Sequence, residues 1–128
     1  MAKQVIITPH PAKFHYSQGI KTEQFIFVAG IGGHKNPDTG EEVKGIEAQT
    51  RQSLEIIKEV LEAADSSLNA VVSATVYLTS RDHFLKMNEV YKAYFPKDPP
   101  VRTTIITDLP LPGMLVEVQC IACRSSGQ

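Results

Sequence analysis

Chemistry-bearing side chains are sparse in this 128-residue chain, and Arg102 stands out among them. It sits at the mouth of PPVRTTIITD, residues 99–108, a run of threonines and isoleucines that reads as a strand. The nearest acid downstream is Asp108. A guanidinium is costly to bury without an anionic partner. Two roles are open to it: a salt bridge or snorkelling side chain at a strand end, or a fork whose parallel N–H groups grip a carboxylate. Residue pattern alone does not choose between them.

The other reactive residue types form weaker constellations. Cys120 and Cys123 make a CxxC within MLVEVQCIAC, but that stretch reads as a strand, where positions i and i+3 face opposite sides. No second cysteine pair exists to complete a zinc site, so both are read as structural and no metal is expected. His10, His15, His34 and His83 are scattered without ligand spacing. Gly30, Gly32 and Gly33 follow a strand but lack the endings of phosphate loops; a close backbone approach to a ligand or a neighbouring chain fits them better. Ser17 precedes Gln18 and Gly19, which is no nucleophile elbow. Glu41, Glu42 and Glu47 suit a solvated loop and a helix N-terminus.

These residues need elements to position them. QVIITP and QFIFVAG read as strands, the second with Phe25, Phe27 and Ala29 on one side. From about Gly45 to Ala64, apolar or small residues recur as Thr50, Leu54, Ile57, Leu61 and Ala64, the spacing of an amphipathic helix. AVVSATVYLT alternates, with Val72, Ala74, Val76 and Leu78 sharing a side. Ser80 can cap a second helix striped by Phe84, Met87, Tyr91 and Tyr94 and ended before Pro96. Two further strands close the chain. This is an α+β order, and two helices cover only one face of such a sheet. In the last strand Val116, Val118, Cys120 and Ala122 form an apolar side; Leu115, Glu117, Gln119, Ile121 and Cys123 form a mixed one. A second face of that kind predicts contact with another subunit.

Composition narrows the function. The formal net charge is −1 and no segment concentrates lysine and arginine, so the basic face that nucleic-acid binding needs is not offered. No apolar run approaches membrane-spanning length, and the amino-terminal apolar trio Val5–Ile7 is too short for a signal-peptide core. Residues 1–128 are therefore read as one cytoplasmic domain with no membrane partner.

The chain also resembles, over nearly its whole length, the reactive-intermediate deaminase family (RidA, also called YjgF). The resemblance is carried by YSQGI at 16–20, FVAG at 27–30, NPDTGE at 36–41 and QTRQSLEIIKEVLEAA at 49–64. It continues through VVSATVYLTSRDHFLKMNEVYKAYF at 71–95, PPVRTT at 99–104 and VEVQCIA at 116–122. The resemblance implies a chorismate-mutase-like fold: one mixed sheet, two helices on one face, and a homotrimer whose sheets form a central barrel with ligand clefts at the interfaces. It implies hydrolysis of 2-enamine or 2-imine acids such as 2-aminoacrylate to 2-keto acids and ammonia, without cofactor.

By the same resemblance, Arg102 would bind the substrate carboxylate with the backbone N–H of Thr104. Gly30 would meet the substrate through its backbone, Tyr16 would line the cleft from the adjacent chain, and Asn88 would lie near the site. Two positions depart from the family pattern. Gln119 stands where deaminases commonly carry a glutamate that positions water, and Ala29 where they often carry a serine. A glutamine can orient water through its carbonyl oxygen but cannot accept a proton as a carboxylate does. The alternatives are a non-catalytic sensor of 2-keto acids and a deaminase of a larger substrate such as 2-aminomuconate. RNA cleavage, also attributed to the family, ranks last on charge.

Overall fold

In a computed structural model, which describes residues 2–124, the chain forms a mixed sheet with two helices. The strands are β1 (Gln4–Val5), β2 (Gly19–Lys21), β3 (Phe25–Gly32), β4 (Val71–Leu78), β5 (Val101–Ile106) and β6 (Val116–Cys123), in spatial order β1-β2-β3-β6-β4-β5. Among the described residues only β4 and β5 run parallel, joined by a crossover through the second helix, as parallel neighbours require. The first strand is shorter than QVIITP suggested, because only Gln4 and Val5 pair, with Lys21 and Ile20.

Helix α1 (Ile46–Ala63) forms as its periodicity dictates. Leu54, Ile57, Val60 and Leu61 are fully enclosed and press on β3 and β6. Burying each such side chain contributes about 1.5–3 kcal/mol. Gly45 precedes the helix at φ 89°, a conformation that favours glycine. Helix α2 (Phe84–Tyr94) follows a 3-10 turn at Arg81–His83, whose entry Ser80 caps by accepting from the Asp82 N–H at 3.1 Å. Met87 and Tyr91 of α2 join the core against α1, while Phe84 at the helix start stays partly exposed.

Two register shifts depart from simple alternation. On β4, Val71 pairs with Ala122 but Ser73 with Ile121, so one extra residue is accommodated. That bulge ejects Val72 from the side it was expected to share with Ala74, Val76 and Leu78, and Val71 is buried in its place. On β3, Val28 opposes Cys120 and Ile31 opposes Val118, so three steps on β3 match two on β6. The surplus lies at Ala29–Gly30. Beyond it, Ser53 Oγ donates to the Ile31 carbonyl at 2.7 Å. A Cβ on Gly33 would stand 2.7 Å from the Ser53 nitrogen and collide with the Gln49 carbonyl. The close approach expected of Gly33 is therefore to this chain's own α1, not to a ligand or neighbour.

Buried Gln49 joins three segments. Its Nε2 donates to the Val43 and Gly113 carbonyls at 2.9 and 2.8 Å, and its Oε1 accepts from the Leu115 N–H at 2.9 Å. On the sheet face away from the helices, Phe25, Phe27, Val101 and Ile105 are exposed. Among the described residues no helix is long and apolar enough to cross a membrane.

Candidate active site

The sequence-derived candidates separate into two groups at opposite sides of the sheet. Arg102 is on edge strand β5, opposite Ala74 of β4, which in turn opposes Cys120 of β6, opposite Val28 of β3. This row faces the helices. The Arg102 guanidinium accordingly lies over the Tyr91 ring at 4.6 Å and near the Phe84 ring at 5.7 Å. Its Nη1 donates to Asn88 Oδ1 at 2.9 Å. Phe84, Asn88 and Tyr91 occupy one face of α2 at i, i+4 and i+7, so a single helix supplies the whole cradle. Among the described residues no acid forms an ion pair with Arg102. Its holders are two aromatic faces and a neutral amide. Such contacts fix the side chain's position while leaving its charge uncompensated.

Thr104 lies two residues further along β5, beside Val76. Because β5 is an edge strand, alternate backbone N–H groups along it have no strand partner among the described residues. Burial raises the Tyr91 phenol to a pKa of about 12, with Cys120 adding to the shift and Arg102 opposing it. The Tyr91 hydroxyl has no hydrogen-bond partner among the described residues.

Gly30 and Tyr16 make the second group. Both line a cleft of about 1100 Å³ between the segment Pro9–Gln18, the bulged end of β3 and the loop before β6. Ala29 lines it as well, and its N–H donates to the Gln18 carbonyl at 2.9 Å. Glu117 enters from β6, with its carboxylate packed over Gly30 so closely that a Cβ there would overlap it. Burial raises the Glu117 pKa above its ordinary value of 4.5. His34 lines the same cleft. Burial, then Lys35 and Lys13, hold it below 6.5 and hence neutral at pH 7.

Gln119 belongs to neither group. It is exposed on the face away from the helices, in a row with Thr75 and Thr103. Within one chain Arg102 and Gln119 therefore point to opposite sides of the sheet. Arg102 is also three strand spacings from β3, about 14 Å, too far for a three-carbon acid to touch both it and Gly30.

Sequence reasoning missed the clasp at His10. Its Nε2 meets Asp38 Oδ1 at 2.6 Å and its Nδ1 meets Glu59 Oε1 at 2.9 Å, tying the amino-terminal segment to the loop after β3 and to α1. No motif marks it, because its partners lie 28 and 49 residues away. The aromatic cradle of Arg102 did leave a signal, in the helical spacing of Phe84, Asn88 and Tyr91. Among the described residues no cluster of His, Cys, Asp and Glu could hold a metal ion.

Comparison with known proteins places this arrangement. The family described as endoribonuclease L-PSP matches residues 7–124. A RutC family protein of Pyrococcus abyssi is 48% identical, over 97% of this chain and 99% of that protein. The chloroplastic Reactive Intermediate Deaminase A of Arabidopsis thaliana is 38% identical over 84% of this chain, which spans 57% of that longer protein. Among solved structures, RidA from the Antarctic bacterium Psychrobacter sp. PAMC 21119 superposes with a TM-score of 0.88 at 34% identity, covering 94% of this chain and 98% of that one. TdcF of E. coli with bound serine gives 0.88 at 31%, covering 95% and 99%. With its matching sequence, mixed sheet and paired helices, the chain belongs to the RidA/YjgF family, the family of endoribonuclease L-PSP.

Proposed function

We propose that this protein is a hydrolytic deaminase of reactive 2-enamine and 2-imine acids, releasing 2-keto acids and ammonia. The observation that carries the reading is Arg102: a guanidinium fixed by Tyr91, Phe84 and Asn88, with no acid paired to it among the described residues. A cation held without a counter-ion suits an incoming carboxylate, which accepts two parallel N–H bonds from it. The deaminase named among the relatives and the serine bound to TdcF agree with a small amino-acid-derived ligand.

In this mechanism Arg102, helped by the Thr104 N–H, holds the carboxylate and so fixes C2 of the imine. Water adds to C2, the C=N electron pair moves to nitrogen, and the carbinolamine collapses to the keto acid with loss of ammonia. The reaction is intrinsically easy, so orientation supplies much of the acceleration. Gln119 can contribute a carbonyl oxygen to orient water. The separation of Arg102 from Gly30 and Tyr16 supports a site completed between copies, with Arg102 from one chain and Tyr16 from the next. The exposed Phe25, Phe27, Val101 and Ile105 supply an apolar face for that assembly, which we propose is a homotrimer.

The test couples the purified protein to serine or threonine dehydratase and traps the free imine with semicarbazide. Wild type is expected to suppress semicarbazone formation and Arg102→Ala to lose that effect while keeping its oligomeric state. No suppression by wild type, with saturable 2-keto acid binding, would instead make the cleft a sensor site.

A further inference from the structure

We propose that Glu117 is the acid–base residue of this site, taking the proton-transfer role that Gln119 cannot perform. This inference rests on the deaminase reading above. Its support is geometric. The glutamine lies exposed on the sheet face, whereas the Glu117 carboxylate enters the cleft and packs over Gly30. The β3 bulge at Ala29–Gly30 and the missing Gly30 side chain together make the space it fills. A ligand seated on the Gly30 backbone therefore meets Glu117 first. No hydrogen bond or ion pair engages this carboxylate among the described residues.

The groups around it leave it free to titrate. Tyr77 is its register partner on β4, and Gly32, opposite on β3, has no side chain. Tyr16 and Lys13 line the cleft from the amino-terminal segment, and His34 and Lys35 from the loop after β3. Burial raises the carboxyl above 4.5, which moves its basicity toward neutrality, where a proton shuttle works best.

The step balances without a co-reactant. As the water oxygen bonds to C2, the Glu117 carboxylate takes one water proton and the C=N π pair moves onto nitrogen. Glu117 returns that proton to nitrogen, giving a carbinolamine. It then accepts the hydroxyl proton as C=O forms, and delivers it to nitrogen as the C2–N bond breaks. Ammonia leaves and Glu117 ends as it began, a carboxylate.

The experiment measures kcat/KM by semicarbazide trapping across pH, corrected for spontaneous hydrolysis, for wild type, Glu117→Gln and Glu117→Asp. Wild type should lose activity as pH falls through a pKa above 4.5, since the base form must be ionised. Glu117→Gln should lose about 100-fold in kcat, with KM changed little, and should lack that acid limb. Glu117→Asp should restore part of the rate together with the limb. An active wild type with Glu117→Gln within twofold of it overturns this proposal and leaves the deaminase reading standing. An inactive wild type overturns both. Should Glu117→Gln fail to fold, a wild-type profile flat on the acid side overturns the proposal by itself.

Discussion

Replacing Asn88 by aspartate barely changes the side chain's shape, yet it should disable the carboxylate anchor. In the native chain Asn88 Oδ1 accepts from Arg102 Nη1 at 2.9 Å, a neutral contact that positions the guanidinium without cancelling its charge. In Asn88→Asp the same atom becomes part of a carboxylate. A ligand carboxylate gripped by the other edge of the guanidinium would then lie roughly 6 Å from it, a repulsion of about 3 kcal/mol at an effective dielectric near 20. Both residues are half-buried, so solvent roughly halves this to about 1.4 kcal/mol, or tenfold in KM. The new ion pair is worth about 0–1 kcal/mol, so thermal stability should hold or rise slightly. Asn88→Ala removes the bond but leaves the guanidinium on the Tyr91 ring, and should weaken binding less, about three- to fivefold. Imine trapping gives KM, and calorimetric titration with a 2-keto acid gives Kd independently of turnover. If Asn88→Asp binds within twofold of wild type, Arg102 does not anchor the carboxylate.

Stability and titration offer separate checks. Gly33→Ala should cost about 3 kcal/mol or more, because the added methyl meets rigid α1 backbone; urea unfolding with an unchanged midpoint would refute the contact. Ser53→Ala removes the buried hydroxyl's bond to the Ile31 carbonyl, on a β3 residue that keeps its Val118 strand neighbour, and should cost about 1 kcal/mol by the same measurement. Burial pushes the Cys120 thiol up to about 12, so at pH 8 the folded protein should leave Cys120 unlabelled by maleimide until denaturant is added. Hydrogen bonds to Asp38 and then Glu59 raise His10 above 6.5. Its stabilising effect is thus full below 6.5 and is lost as pH rises through the folded value, so the deficit of His10→Ala should shrink over that range. An NMR midpoint for His10 at or below 6.5 would contradict the clasp.

Much of the frame was legible in residue order. Thr50, Leu54, Ile57 and Leu61 along α1 and Ala64 just past its end are all buried, as are Val116, Val118, Cys120 and Ala122 along β6. Helical and strand periodicities are local properties: each segment must turn its apolar side inward whatever its neighbours do. Arg102 could be singled out for the same kind of reason, as a costly charge in an apolar run. Tertiary structure decided the remainder. That Asn88 rather than an acid holds Arg102 depends on α2 packing beside β5. That Val72 turns outward, and that Glu117 rather than Gln119 reaches Gly30, depends on bulges in strand pairing. One surplus residue in one strand reassigns every side chain beyond it to the other face. Register is set by contacts between distant segments and by packing, and a one-dimensional pattern does not carry it.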